Sequence, residues 1–137
     1  MVYLTRIEHF NAAHRLYNPS WSAEKNEEVF GKCANTNWHG HNFELFVTIK
    51  GEPDPATGFI FDAKKLSAIV KEKIVDQLDH RNLNMDVDFM QGKLCSIENL
   101  VIGIWDQLVP VLPERVQLHS LKLVETSKIY VEYYGEK

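Results

Sequence analysis

The sequence predicts an α+β fold in which two helices cover one face of a four-stranded antiparallel sheet. Two observations favour this class: the element order is strand, strand, helix, helix, strand, strand, and both helical segments lie together in the middle of the chain. The chain has 137 residues and 45% hydrophobic residues, without an internal repeat or a Ser/Gly linker. It is therefore expected to fold as one domain over residues 1–137.

The first half of the chain contains two predicted strands separated by a long loop. Residues 2–10 are rich in β-forming side chains and predict the first strand. From Phe43 to Ile49, apolar residues alternate with polar ones, apart from Phe46, as in a strand with one buried face. Residues 17–38 show no sustained periodicity, and a loop of that length is often functional.

The second half contains the two helices and the last two strands. Asp62 is a plausible N-cap for a helix over residues 63–78, whose apolar residues recur at three- and four-residue steps. A second helix follows Ser96 and ends at Pro110. Residues 116–125 and 129–134 predict two strands joined by a short turn. The open edges of such a sheet favour association into an oligomer.

Composition excludes several classes of protein. Fifteen basic and 19 acidic residues give a net charge of −4, which argues against nucleic-acid binding. No apolar run is long enough for a membrane span, and residues 1–6 lack the pattern of a signal peptide. Two cysteines are too few for a secreted disulfide scaffold. We therefore expect a cytoplasmic protein with neither a nucleic-acid partner nor a membrane partner.

Three histidines form a candidate metal site. His39 and His41 precede the clearest strand, and residues two apart in extended backbone project to the same side. His14 follows the first strand, so antiparallel pairing would bring it to the same end of the sheet. Three protein ligands and one open position are typical of catalytic zinc. A His-x-His pair alone is also compatible with ordinary surface histidines.

Cys33 lies six positions before His39 and allows three interpretations. It could be a fourth zinc ligand that closes a structural site, or a thiolate base beside an open zinc ion, since a nearby cation favours the thiolate. It could also be an inert buried cysteine. Cys95 is interpreted as structural.

Three further residues carry acid–base or binding potential. Asp79 and His80 are neighbours after the first helix and form either an acid–base pair or a simple helix-terminal pair. Glu125 ends a β-forming run on the side of Leu121 and Leu123. An inward carboxylate needs donors, which a guanidine-like ligand edge could supply.

Taken together, these motifs resemble the 6-pyruvoyl-tetrahydropterin synthase family, in order from about residue 6 to the C-terminus. The matching segments are Phe10-x-Ala12-x-His14-Arg15-Leu16, Gly31-Lys32-Cys33, His39-Gly40-His41-Asn42, Leu78-Asp79-His80-x-Asn82-Leu83, Glu98-Asn99-Leu100 and Glu125-Thr126.

The resemblance implies a ββααββ tunnelling fold (T-fold) for each subunit. Three subunits would join their sheets into a β-barrel, and two such trimers would stack into a homohexamer. The active sites would lie between subunits. The resemblance further implies a zinc-dependent lyase of tetrahydrobiopterin biosynthesis. Its substrate would be 7,8-dihydroneopterin triphosphate, which loses triphosphate and rearranges to 6-pyruvoyl-tetrahydropterin. One Zn2+ per subunit is implied, with Mg2+ as an assisting ion.

The resemblance also implies roles for individual residues. His14, His39 and His41 resemble the zinc ligands, Cys33 the base, and Asp79 with His80 its activating partners. Glu125 resembles the pterin anchor, while Glu98 and Ser96 stand in a segment that contacts the pterin. Arg6, Arg15 and Arg81 are candidates for the triphosphate contacts.

The sequence departs from the family pattern in two places. Trp38 stands where the family usually has Gly, and Ser96 and Ile97 stand where it has two threonines. A related enzyme, 6-carboxy-tetrahydropterin synthase of modified-tRNA-base (queuosine) synthesis, has the same kind of metal ligands but three residues between its cysteine and the His-x-His, against five here. A non-catalytic zinc-binding module is a third alternative, which would not require Asp79, His80 or Glu125.

Overall fold

A computed structural model describes residues 1–136 as an α+β fold with a five-stranded mixed sheet in the order β3-β1-β2-β4-β5. The elements in chain order are β1 (Val2–His14), α1 (Ala23–Phe30), β2 (His39–Gly51), α2 (Ala63–Val70), α3 (Asp76–Leu78), β3 (Arg81–Asn82), α4 (Ile97–Leu108), β4 (Gln117–Thr126) and β5 (Ile129–Tyr133). A π-helical turn, Lys71–Val75, connects α2 and α3, so residues 63–78 form one continuous helical segment.

The two longest strands, β1 and β2, pair antiparallel over their full thirteen residues, from Val2 with Gly51 to His14 with His39. Alternate residues of both strands are buried, including Phe10, Phe43 and Leu45. The alternation of apolar and polar residues in β2 therefore predicted the buried face of this strand correctly. Because the pairing extends to the last residue of β1, it fixes the relative positions of the histidines at this end.

Helices α2 and α4 cover the buried face of the sheet. Their apolar residues Leu66, Val70, Leu100 and Ile104 join the same buried cluster as the strands. The predicted Asp62 cap is confirmed, because the Asp62 side chain accepts a hydrogen bond from the Lys64 N–H. The second helix follows Ser96 as predicted, and the Ser96 side chain caps it by accepting a hydrogen bond from the Asn99 N–H.

Two features correct the predicted architecture. The sheet has five strands and is mixed, because the two-residue strand β3 pairs parallel with Ala12 and Ala13 at the edge of β1. Residues 17–38 are also not simply a loop, because they contain α1 and a 3₁₀ turn, Gly31–Ala34. Helix α1 begins after Ser22, whose side chain accepts from the Lys25 N–H, and is mostly exposed, which explains its weak sequence signal.

Among residues 1–136, no helix is long and apolar enough to cross a membrane.

Candidate active site

Three imidazoles converge where β1 ends and β2 begins. His14 is the direct partner of His39 in the antiparallel pairing, while His41 is opposite Ala12. One ligand atom from each ring lies within 4.8 Å of the other two. The strands thus bring together the three histidines predicted from the sequence, and this triad could bind a metal ion.

The chemistry of these nitrogens fits a metal. His14 Nε2, His39 Nδ1 and His41 Nε2 are buried and have no hydrogen-bond partner among the described residues. Leaving such atoms unpaired is costly, so a bound cation would satisfy them. Burial lowers the pKa of all three imidazoles, which favours the neutral form that binds metals.

The backbone of Cys95 orients the most buried of the three rings. His14 is only 3% exposed, and its Nδ1–H donates to the Cys95 carbonyl over 2.7 Å. This bond fixes the tautomer and leaves Nε2 free to bind an ion, a common arrangement around protein metal sites. The Cys95 side chain is buried and its thiol pKa is raised by burial to about 11, which supports its structural interpretation.

His14 and His39 of the triad line a cavity of about 270 Å³. Its lining residues are His14, Leu16, Phe30, Cys33, His39, Leu94, Ser96, Ile97, Glu98, Asn99 and Glu125. We call it the metal cavity. Glu125 projects toward the rings, with Oε2 3.7 Å from His14 Nε2 and 3.8 Å from His41 Nε2. Ser96, the N-cap of α4, and Glu98 in its first turn are among these lining residues, although the Ser96 hydroxyl already accepts a hydrogen bond from the Asn99 N–H.

Cys33 lies in the 3₁₀ turn and faces the metal cavity. Its backbone carbonyl accepts a hydrogen bond of 2.7 Å from the Leu16 N–H, which ties the turn to the end of β1. Gly31 begins this turn with φ of 56°, a conformation that glycine adopts easily. The Cys33 sulfur does not belong to the cluster of ligand atoms formed by the three histidines. This placement favours a sulfur beside a metal over a sulfur bound to it.

The Asp79–His80 pair lies in a different depression from Cys33. Asp79 lines a space of about 380 Å³ with His9, Asn11 and Glu44, which point to the sheet face away from the helices. Asp79 Oδ2 is 3.0 Å from His80 Nδ1, and its Oδ1 accepts from the Asn11 N–H. The hydrogen bond from Asn11 is the largest cause of the lowered Asp79 pKa. Within one chain, Asp79 and His80 therefore lie outside the metal cavity.

Two of the predicted phosphate-binding arginines differ in their surroundings. Arg6 Nε is 2.9 Å from Glu8 Oε1, so its charge is already paired and it does not line the metal cavity. Arg15, adjacent to His14, has no carboxylate within 4.0 Å among residues 1–136. Of the two, only Arg15 is free to bind an anion near the triad.

Asn26, which no sequence pattern singles out, organises the segment before Cys33. Asn26 is fully buried; its side chain accepts from the Asn18 N–H over 2.7 Å and donates to the carbonyls of Asn18 and Ser22. A polar residue in a polar segment gives no sequence signal of burial, so these bonds could not be predicted.

Comparison with known proteins gives consistent matches. The model of a family described as 6-pyruvoyl tetrahydropterin synthase matches residues 3–136. The chain is 45% identical over 127 residues to 6-pyruvoyl tetrahydrobiopterin synthase of Homo sapiens, covering 93% of this chain and 87% of that protein. It is 44% identical over 135 residues to the Dictyostelium discoideum enzyme of the same name, covering 98% and 97%. The solved Caenorhabditis elegans 6-pyruvoyl tetrahydropterin synthase superposes with a TM-score of 0.91 at 36% identity, covering 98% and 96% of the two chains.

Proposed function

The chain belongs to the 6-pyruvoyl tetrahydropterin synthase family, and we propose on that premise that it converts 7,8-dihydroneopterin triphosphate to 6-pyruvoyl-tetrahydropterin and releases triphosphate. The activity is that of a lyase in tetrahydrobiopterin biosynthesis. One observation from the structure carries the proposal: among the described residues, nitrogens of three imidazoles lie together without a hydrogen-bond partner, and two of these rings line a cavity that Cys33 and Glu125 also line.

His14, His39 and His41 would hold one Zn2+ per subunit, because neutral imidazoles without another partner are suitable zinc ligands. When bound, the ion supplies Lewis-acid stabilisation of negative charge that develops on the substrate. An assisting Mg2+ would bind mainly through the phosphates of the substrate, as Mg2+ commonly does.

Cys33 is the proposed base that takes a proton from a side-chain carbon of the substrate. It lines the same cavity as His14 and His39, while its sulfur stays outside the ligand cluster. A positive charge nearby favours the thiolate, which can accept a proton near neutral pH. Glu125 is the proposed anchor of the pterin ring, since its carboxylate can accept two N–H donors, and Glu98 and Ser96, which line the same cavity, are proposed as further contacts.

Asp79 and His80 would act on the Cys33 of a neighbouring subunit. Within one chain they lie in a separate depression, and the His80 side chain is 82% exposed. An assembly is then needed to complete each site, in agreement with the proposed homohexamer built from two trimers. Each subunit is proposed to be a single domain. The low cysteine count favours a cytoplasmic setting.

Incubation with 7,8-dihydroneopterin triphosphate, followed by mass analysis of the product, tests this function. We expect 6-pyruvoyl-tetrahydropterin; a carboxy-pterin product would instead identify the related 6-carboxy-tetrahydropterin synthase activity. Cys33→Ala should lower turnover by about 10²- to 10⁴-fold, the usual contribution of a general base, and should leave the zinc content unchanged. Loss of zinc from that variant would support a structural zinc module with Cys33 as ligand.

A further inference from the structure

Two cross-links join the segment that carries Cys33 to the stretch of chain that follows β1. We call this segment, which consists of α1 and the 3₁₀ turn over residues 23–34, the Cys33 segment. In the first cross-link, the Leu16 N–H donates a hydrogen bond of 2.7 Å to the Cys33 carbonyl. In the second, the side chain of Asn26 binds the backbone of Asn18. Because β1 ends at a triad histidine, both cross-links connect the Cys33 segment to the metal site.

Asn26 makes the second cross-link with both ends of its side-chain amide. Its oxygen accepts from the Asn18 N–H over 2.7 Å, and its nitrogen donates to the carbonyls of Asn18 and Ser22 over 3.0 and 2.9 Å. Among the eight described residues of α1, Asn26 is the one that is buried. Loss of this amide would leave buried donors and acceptors unpaired, which is costly. The amide is therefore a main attachment of α1.

A short path leads from Asn26 to the metal cavity. Helix α1 ends at Phe30, little more than one helical turn after Asn26. The Phe30 ring stacks on that of Trp21, with 5.8 Å between the ring centres, and Trp21 lies in the loop that Asn26 fastens. Phe30 and Cys33 both line the metal cavity. A displacement of Asn26 would therefore be passed on to the wall of that cavity.

The two cross-links together restrict the Cys33 segment more than one of them could. The bond between Leu16 and Cys33 alone would let the turn rotate about a single point, and the attachment through Asn26 removes this freedom. A general base depends on such placement, because it must lie within hydrogen-bond reach of the proton, about 2.6–3.2 Å. A misplacement of about 1 Å can lower a rate about 10²-fold.

We propose that Asn26 is a positioning residue that holds the Cys33 sulfur in place at the metal cavity. Asn26 is not among the residues that line this cavity, so it acts through Cys33. The inference rests on the proposed function, in which Cys33 is the base. It gives the buried amide a contribution to turnover in addition to its contribution to stability.

Steady-state kinetics of Asn26→Ala with 7,8-dihydroneopterin triphosphate tests the inference. We expect kcat to fall about 10- to 100-fold and KM to stay within about twofold of the parent value, because the placement of the base affects chemistry more than binding. Asn26→Ser keeps a hydroxyl that can bond one carbonyl. It should show a smaller loss in the same direction, and it replaces Asn26→Ala if that variant does not fold.

A double-mutant cycle separates positioning of Cys33 from a general effect on the site. In a protein that already carries Cys33→Ala, adding Asn26→Ala should change the residual kcat by less than about twofold, because no sulfur remains to be positioned. A variant that damages the site in another way would lower the residual rate further.

Alkylation of Cys33 by iodoacetamide, measured by peptide mass analysis, gives a readout that does not need turnover. A zinc ion beside the sulfur favours the reactive thiolate, so zinc should accelerate alkylation of the parent protein. In Asn26→Ala, at equal zinc content, most of this acceleration should be lost because the sulfur is no longer held beside the ion. The rates with and without zinc are compared as a ratio, since a change in solvent access affects both.

Ser67→Ala is the matched control. Ser67 is also a buried polar residue, its hydroxyl donates to Glu8, and it does not line the metal cavity. The variant should lose stability to an extent similar to that of Asn26→Ala. It should nevertheless keep the kcat of the parent protein and the parent effect of zinc on Cys33 alkylation.

A parent-like kcat in Asn26→Ala, or equal losses of kcat in Asn26→Ala and Ser67→Ala, would overturn the proposal. A further loss in the Cys33→Ala protein would also overturn it, as would a parent-like effect of zinc on alkylation in Asn26→Ala. If the parent protein makes no 6-pyruvoyl-tetrahydropterin, the proposed function fails. An effect of zinc on Cys33 alkylation that depends on Asn26 would still support the positioning role in that case.

Discussion

Glu125→Gln tests whether the carboxylate beside the histidine triad recognises the pterin or the metal. The Glu125 side chain is 15% exposed, so little water is available to replace a lost contact. Glutamine keeps the shape of the side chain and one acceptor oxygen. Its NH2 group replaces the second oxygen, however, and cannot accept a hydrogen bond from the second N–H of the ligand. Loss of one charge-assisted hydrogen bond costs about 1.5–3 kcal/mol, which weakens pterin binding by about 10- to 150-fold.

The measurement is a fluorescence titration with biopterin, together with metal analysis of the purified variant. Zinc content should match that of the parent protein, because three imidazoles remain to hold the ion. Glu72→Gln is a suitable control, since Glu72 is exposed on the helical turn between α2 and α3. Unchanged pterin affinity would refute the anchor role. Loss of zinc with the pterin affinity intact would also identify Glu125 as a metal ligand.

Three other predictions concern stability. The melting temperature of the metal-free protein should fall as the pH is lowered from 7.5 to 5.5. Burial lowers the pKa of the three triad imidazoles, so below about pH 6.5 the unfolded chain binds protons that the folded chain does not. A melting temperature that does not change over this pH range would contradict the prediction. Ser67→Ala should lower the free energy of unfolding in urea by about 1–3 kcal/mol, since the Ser67 hydroxyl donates over 2.7 Å to the buried carboxylate of Glu8. A loss below about 0.5 kcal/mol, the size of a surface substitution, would refute this prediction. In the same assay, Asn26→Ala should lower the free energy of unfolding by about 2 kcal/mol, because its buried side chain loses several hydrogen bonds. The control Asn37→Ala, at an exposed position, should have little effect, and equal losses in the two variants would refute the organising role of Asn26.

The sequence was most informative where periodicity reflects burial. The alternation from Phe43 to Ile49 identified the inner face of β2, and the two-residue spacing of His39 and His41 placed both rings on it. The position of His14 followed from antiparallel pairing alone. These inferences succeeded because the side-chain direction in a strand depends on local geometry, which the order of residues determines.

The parts that could not be predicted depend on contacts distant in the chain. Strand β3 has two residues, too few for any pattern, and forms because Arg81 and Asn82 reach the edge of β1. His80 has a left-handed backbone, with φ of 60°, and its N–H donates to the Asn11 carbonyl. The direction in which the Asp79–His80 pair points therefore depends on tertiary structure and not on local sequence.

The thirteen-residue pairing of β1 and β2 has a consequence for folding. Side chains alternate between the two faces of a sheet, so a slip of one residue would turn His14 away from His39 and His41. An ion that requires all three rings can bind only chains whose two strands are correctly aligned. Metal binding would then stabilise the native register and shift the equilibrium between registers away from the misaligned pairings.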